Sequence, residues 1–157
     1  MSWGRGKDDI VALLGNGELE RVQPSTALGE RMLAEAEGHL KSARLLVQSD
    51  PIAAYLLAYD AARKASAALL APQGLRATSR GGHIAIQDAV QAQFSGDRGL
   101  PAFRAFPRLR RTRNDFEYPD IDTPGSSPED AAAAIEDAEA IFKAASSVFA
   151  TGKLEPF

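Results

Sequence analysis

DPIAAYLLAYDAARKASAALL, residues Asp50 to Leu70, is the most regular stretch in the chain and the place from which its fold can be read. Asp50-Pro51 supplies a capping carboxylate followed by proline at the first helical position, where a missing N–H costs nothing. Ile52, Leu56 and Tyr59 recur at helical steps, and the alanine-rich run carries the helix to Leu70, where Pro72 and Gly74 stop it. Asp60, Arg63 and Lys64 interrupt the run. They read as the helix's solvated face, or as residues that face a dimer cleft.

Upstream, Ser25 or Thr26 can cap a helix whose apolar positions Leu33, Ala36, Leu40, Ala43 and Val47 repeat in steps of three and four, to about Ser49. Residues 1–24 read as an N-terminal extension. Asp8 to Leu14 has room for a short helix, Gly15-Asn16-Gly17 ends it, and Val22 to Pro24 reads as an extended linker. Downstream, a polar, basic loop from Pro72 to Gly82 leads into a helical pattern from His83 to Phe94, which stops at Ser95-Gly96. Gly99-Leu100-Pro101 opens a segment to Tyr118. Pro107 lies within it, which predicts a kink or a short helix ahead of the main one. Pro119 and the turn-rich residues 119–126 follow. Ser127-Pro128-Glu129-Asp130 then starts a last helix with the stripe Ile135, Ala138, Ile141, Phe142, Ala145, Val148 and Phe149. No strand-like alternation competes, so the expected architecture is all-α: an antiparallel four-helix bundle over residues 25–150, with short extra helices and a C-terminal tail over 151–157.

With 157 residues, 45% of them apolar and 25% charged, the chain has the balance of one soluble globular domain. The absence of cysteine excludes disulfides, thiolate zinc sites and a cysteine nucleophile. His39 and His83 are the only imidazoles, and no metal or cofactor is expected. The longest nearly apolar run, around Ile52 to Leu57, is far below the ~20 residues of a membrane span. The start, Met1 to Asp9, lacks the pattern of a signal peptide, which together with the short apolar runs points to a cytoplasmic protein. A net charge of −3 argues against bulk coating of nucleic acid but leaves room for a local basic patch.

Such a patch exists. Arg104, Arg108, Arg110, Arg111 and Arg113 fall within ten residues that contain no acid, whereas residues 114–139 hold nine acids and no Lys or Arg. Guanidinium groups fork onto phosphate oxygens and release counterions, so the patch fits phosphate contacts; it equally fits pairing with the acids that follow. At 100° per residue Leu109, Thr112 and Phe116 form the apolar face of this helix, with Arg113 at its margin. Glu117 lies one turn beyond Arg113, and Asn114 and Tyr118 share the next face. An arginine, an amide, a carboxylate and a phenol near one helix end could form an anion or RNA site, or an ion pair and a phenol closing the bundle. His39 reads as a surface or boundary residue. His83, at a helix start, can cap it or contact the core, and the fold could bring it near the arginine helix.

RNDFEY, Arg113 to Tyr118, resembles the signature helix of the HEPN superfamily, whose ribonuclease members carry Arg, a polar residue, three others and His. AYDAARKASAALLAPQGL, Ala58 to Leu75, followed by GGHIAIQDAV, Gly82 to Val90, resembles the alanine-rich helix, glycine turn and third helix of small stand-alone HEPN proteins, over roughly residues 26–150. The resemblance implies a homodimer that brings two signature helices together over a cleft. It also implies, for active ribonucleases, metal-independent cleavage of RNA by Arg and His with the ribose 2'-hydroxyl as nucleophile. Arg113 and Asn114 match the first two signature positions, and Tyr118 stands where the family has His. A phenol with an ordinary pKa of ~10 is a poor substitute for an imidazole near 6.5 as a base.

The chain therefore reads as a small non-catalytic HEPN-like module. It is expected to bind RNA or a protein partner through Arg104, Arg108, Arg110, Arg111, Arg113 and Glu117. The alternative is a metal-independent ribonuclease of toxin or defence type using Arg113, Asn114 and Tyr118, with Tyr118, Glu117 or His83 moving the proton, paired with a nucleotidyltransferase-like protein.

Overall fold

The computed structural model describes residues 4–95 and 101–157. In chain order these form α1 (Lys7–Gly15), β1 (Leu19–Arg21), α2 (Thr26–Leu46), α3 (Pro51–Leu70), β2 (Leu75–Ala77), α4 (Gly82–Phe94), α5 (Phe106–Glu117) and α6 (Pro128–Ala150), with 3-10 turns at Ala71–Gln73 and Pro101–Ala105. Gly96, Gly99 and Leu100, read as the stop of one helix and the opening of the next, lie outside the described residues, as do Met1 to Trp3 of the N-terminal reading.

α3 is the axis of an all-α antiparallel bundle. Asp50 Oδ1 accepts the Ala53 N–H at 3.1 Å, capping the helix ahead of Pro51. Eleven of its 20 residues are buried, seven of them alanine or serine, so neighbouring backbones approach closely. α2 and α6 pack along it, and α4 and α5 close the remaining side. α2 ends at Leu46 rather than near Ser49; residues 47–49 form a turn that leads to Asp50, which leaves the helical conformation (φ −150°) to cap α3. α6 begins with a capping box in which Ser127 and Asp130 satisfy each other's backbone N–H groups at 3.0 and 3.1 Å. The predicted short helix ahead of the main one is the 3-10 turn at Pro101–Ala105. Pro107 sits in the first turn of α5, where no helical donor is lost.

Two readings are corrected. The loop after α3 and residues Leu19–Arg21, just ahead of the Val22 to Pro24 linker, pair as a two-stranded antiparallel ribbon, with Glu20 opposite Arg76. Three-residue strands are too short to show alternation, and the pairing joins segments far apart in sequence. The ribbon depends on Gly74, whose φ of +70° returns the chain after α3; a Cβ there would lie 2.7 Å from the Val22 carbonyl oxygen. The described part of the N-terminal segment is also not a loose extension. Ile10, Leu13 and Leu19 are buried in the same core as α3, because an amphipathic turn of helix covers the otherwise open flank of α4. The C-terminal tail docks as well, with the Phe157 N–H donating to the Gln73 carbonyl at 3.0 Å and the Arg21 guanidinium over the Phe157 ring. Among the described residues no helix is long and apolar enough to cross a membrane.

Candidate functional site

α5 is held by its apolar face. Phe106 and Leu109 are fully buried, and Phe116 meets Tyr55 edge-on with ring centroids 5.0 Å apart. Thr112 lies on the same side, as the spacing predicted. The arginines are consequently distributed around the helix axis and do not form one continuous patch. Arg108 pairs with Asp137 of α6, and Arg110 Nε donates to Gln87 Oε1 of α4 at 3.2 Å. Arg104 and Arg111 are exposed and make no ion pair with any described residue. Pairing with the following acids thus accounts for Arg108, and loosely for Arg113, whose Nη2 is 4.0 Å from Glu117 Oε2.

Arg113 turns inward toward α3. Its side chain is 23% exposed, and its guanidinium carbon sits 5.7 Å from the centroid of the Tyr59 ring, a cation–π geometry. Nη1 donates to Asn114 Oδ1 at 3.3 Å. A guanidinium carries five donors, so most of its capacity remains for something else. It faces a cavity of about 350 Å³ walled by Tyr59, Asp60 and Arg63 of α3, His83 of α4 and Glu117 of α5.

α3 and α4 place the other polar groups. The Tyr59 hydroxyl is 2.9 Å from His83 Nδ1, and the Tyr59 ring is wedged between His83 and Phe106. Burial pushes the phenol up to about 12, so it stays protonated across the physiological range. Burial also lowers the pKa of His83, helped by the charges of Arg63 and Arg113, so its ring is neutral at pH 7. Arg63 Nε donates to Asp60 Oδ1 at 3.0 Å. Asp60 Oδ2 in turn is 2.9 Å from His39 Nδ1 of α2, whose ring N–H is not aimed at it, and 3.8 Å from Lys64 Nζ. Lys64 also reaches Glu35 Oε2 of α2 at 2.9 Å, which with Arg31 holds that carboxyl below its usual range.

The set Asp60, Arg63 and Lys64 is therefore not a solvated face: all three side chains are at most 30% exposed and bridge α2, α3 and the cavity. Tyr59 is the site residue that sequence reasoning missed, since it was read only as an apolar position of α3; Arg63 was signalled by the polar interruption of that alanine-rich helix, and His83 by its place at the start of α4. Tyr118, in contrast, caps the end of α5, is 78% exposed and does not line the cavity. No group of three or more His, Asp or Glu among the described residues is arranged to hold a metal ion.

Comparison with protein-family models matches residues 30–148 to the HEPN domain. The chain belongs to the HEPN domain family. No curated protein and no solved structure matches it. In this HEPN domain Arg113 of α5 meets the cavity, while Tyr118 at the end of the same helix is exposed.

Proposed function

We propose that this HEPN domain binds RNA without cleaving it, seating a phosphate in the cavity between Arg113, Arg63 and His83. The observation that carries the reading is Arg113 itself: a half-buried guanidinium stacked on Tyr59, with one close hydrogen bond and a cavity in front of its free donors. Arg63 and Arg110 add positive charge near the same point, against Asp60 and Glu117. The neutral, protonated phenol of Tyr59 is a natural donor to His83 Nδ1, and that tautomer leaves the ring proton on Nε2. His83 then serves as a donor to an anion and not as a base for a ribose hydroxyl.

The test is fluorescence anisotropy with a short labelled single-stranded RNA. Arg113→Ala is expected to weaken binding about tenfold or more and to reduce the salt slope by about 0.7, with the helical signal retained. Unchanged affinity would remove Arg113 from the site.

His83 next to Arg113 favours a second reading, metal-independent cleavage with His83 supplying the imidazole that position 118 lacks. RNA cleavage in the presence of chelator, abolished by His83→Gln and by Arg113→Ala and kept by Tyr118→Phe, would establish it in place of the first. Absence of cleavage by folded protein that binds RNA supports the first.

A further inference from the structure

Arg63 has two sides. One faces the phosphate cavity, and the other closes a separate cavity of about 430 Å³ between α2, the ribbon, α3 and α4. Its walls are apolar: Leu28 and Met32 of α2, Ala67 of α3, Leu75 of β2 and Ile86 of α4. Leu28 is left 42% exposed there, a large aliphatic side chain without cover. The polar groups on the lining are the Gln23 amide and the guanidiniums of Arg63 and Arg76, and no carboxylate is among them. A cavity of this size, mostly apolar with a few polar groups at its edge, has the character of a small-ligand site. Both guanidiniums are paired with carboxylates outside the lining, Arg63 with Asp60 and Arg76 with Glu20.

Two details specify the ligand further. Arg76 is paired with Glu20 Oε1 across the ribbon, with Nε at 2.9 Å and Nη2 at 2.6 Å, and its planar, exposed guanidinium is of the kind on which unstacked bases lie. The Gln23 side chain offers both a donor and an acceptor, which can read the edge of a heterocycle. Arg63 lines both cavities, so an occupant joining an anion to an apolar plane would have to span them across its side chain. We propose that the second cavity is a nucleobase subsite: one base of the bound RNA leaves its stack and enters between Met32, Ala67 and Ile86 while its phosphate rests on Arg63 and Arg113. This subsite rests on the phosphate reading given above.

Ligand titration followed by NMR separates the two ideas. Adenosine and uridine 3'-monophosphate are compared with ribose 5-phosphate on the full chain and on Ala67→Leu, Arg76→Ala and Arg113→Ala. At least one nucleotide is expected to bind about tenfold tighter than ribose 5-phosphate, with shifts at the Met32 and Ile86 methyl groups. Ala67→Leu, which fills the cavity, and Arg76→Ala, on an exposed side chain, should each bring that nucleotide down to the ribose 5-phosphate level. Arg113→Ala should weaken both kinds of ligand. Equal affinity for nucleotides and ribose 5-phosphate, or a base preference that survives both cavity variants, overturns the subsite and leaves the phosphate site standing. Failure of every phosphate compound to bind overturns the phosphate site and the subsite with it.

Discussion

His83 shows how an ordinary residue acquires a specific state from its neighbours. Its ring is desolvated beside Tyr59, and Arg63, Arg113 and Arg110 oppose a further positive charge, while Asp60 alone favours it. The folded protein thus takes up a proton on His83 less readily than the unfolded chain, whose imidazole has an ordinary pKa of ~6.5. Stability that depends on the neutral ring is present above that value and is lost as the pH falls below it. The melting temperature of the wild type is expected to drop between pH 7 and pH 5.5 by more than that of His83→Gln, whose side chain does not titrate. Parallel curves for the two proteins would mean that the ring is protonated as easily in the fold as outside it. The same lowering keeps the imidazole neutral when RNA is offered at pH 7, which is why it counts here as a hydrogen-bond donor and not as part of the charge that attracts phosphate.

The helices owe their positions to close approach as much as to burial. Gly29, near the start of α2, lies where any Cβ would be 2.4 Å from the Phe149 ring of α6 and 2.9 Å from the Ala68 carbonyl oxygen of α3. The ring could swing aside, but the carbonyl belongs to the axis of the bundle. Gly29→Ala is therefore expected to cost about 1–3 kcal/mol in chemical denaturation despite the better helix propensity of alanine. A neutral or stabilising result would show that α2 can slide without loss. α5 follows a different logic, since it is anchored by Phe106, Leu109 and Phe116 and its charges are spread around the axis. The arginine one turn past Leu109 is carried inward toward α3, and the cavity forms where that turn meets α3 and α4.

At the scale of the whole molecule, the N-terminal segment and the C-terminal tail are part of one packed unit with the bundle. Ile10 is fully buried and shares the core with Leu19, Val90 and Phe94. Ile10→Ala is expected to lower global stability by about 2–5 kcal/mol, in a single unfolding transition. An unchanged transition would return α1 to the status of an appendage. The ribbon that α1 leads into, with the residues that follow its first strand, also forms one wall of the apolar cavity, through Leu75 and Arg76 of β2 and Val22 and Gln23 after β1, so the same segment that completes the core shapes the surface beside the phosphate site.

The helices of this HEPN domain were legible from local signals: the Asp50-Pro51 and Ser127-Pro128 starts, the Pro72 and Gly74 stop, and the apolar steps along α2, α3 and α6. Those signals act within a few residues, and the backbone obeys them wherever the segment lies. The inward turn of Arg113 could also be read, because a helical wheel is local geometry. The ribbon could not, since its strands are three residues long and meet only once α3 has reversed the chain. Nor could the cavity, because Tyr59, Arg63, His83 and Arg113 come from three helices, and only the packing of α4 and α5 on α3 decides that they meet while Tyr118 stays outside.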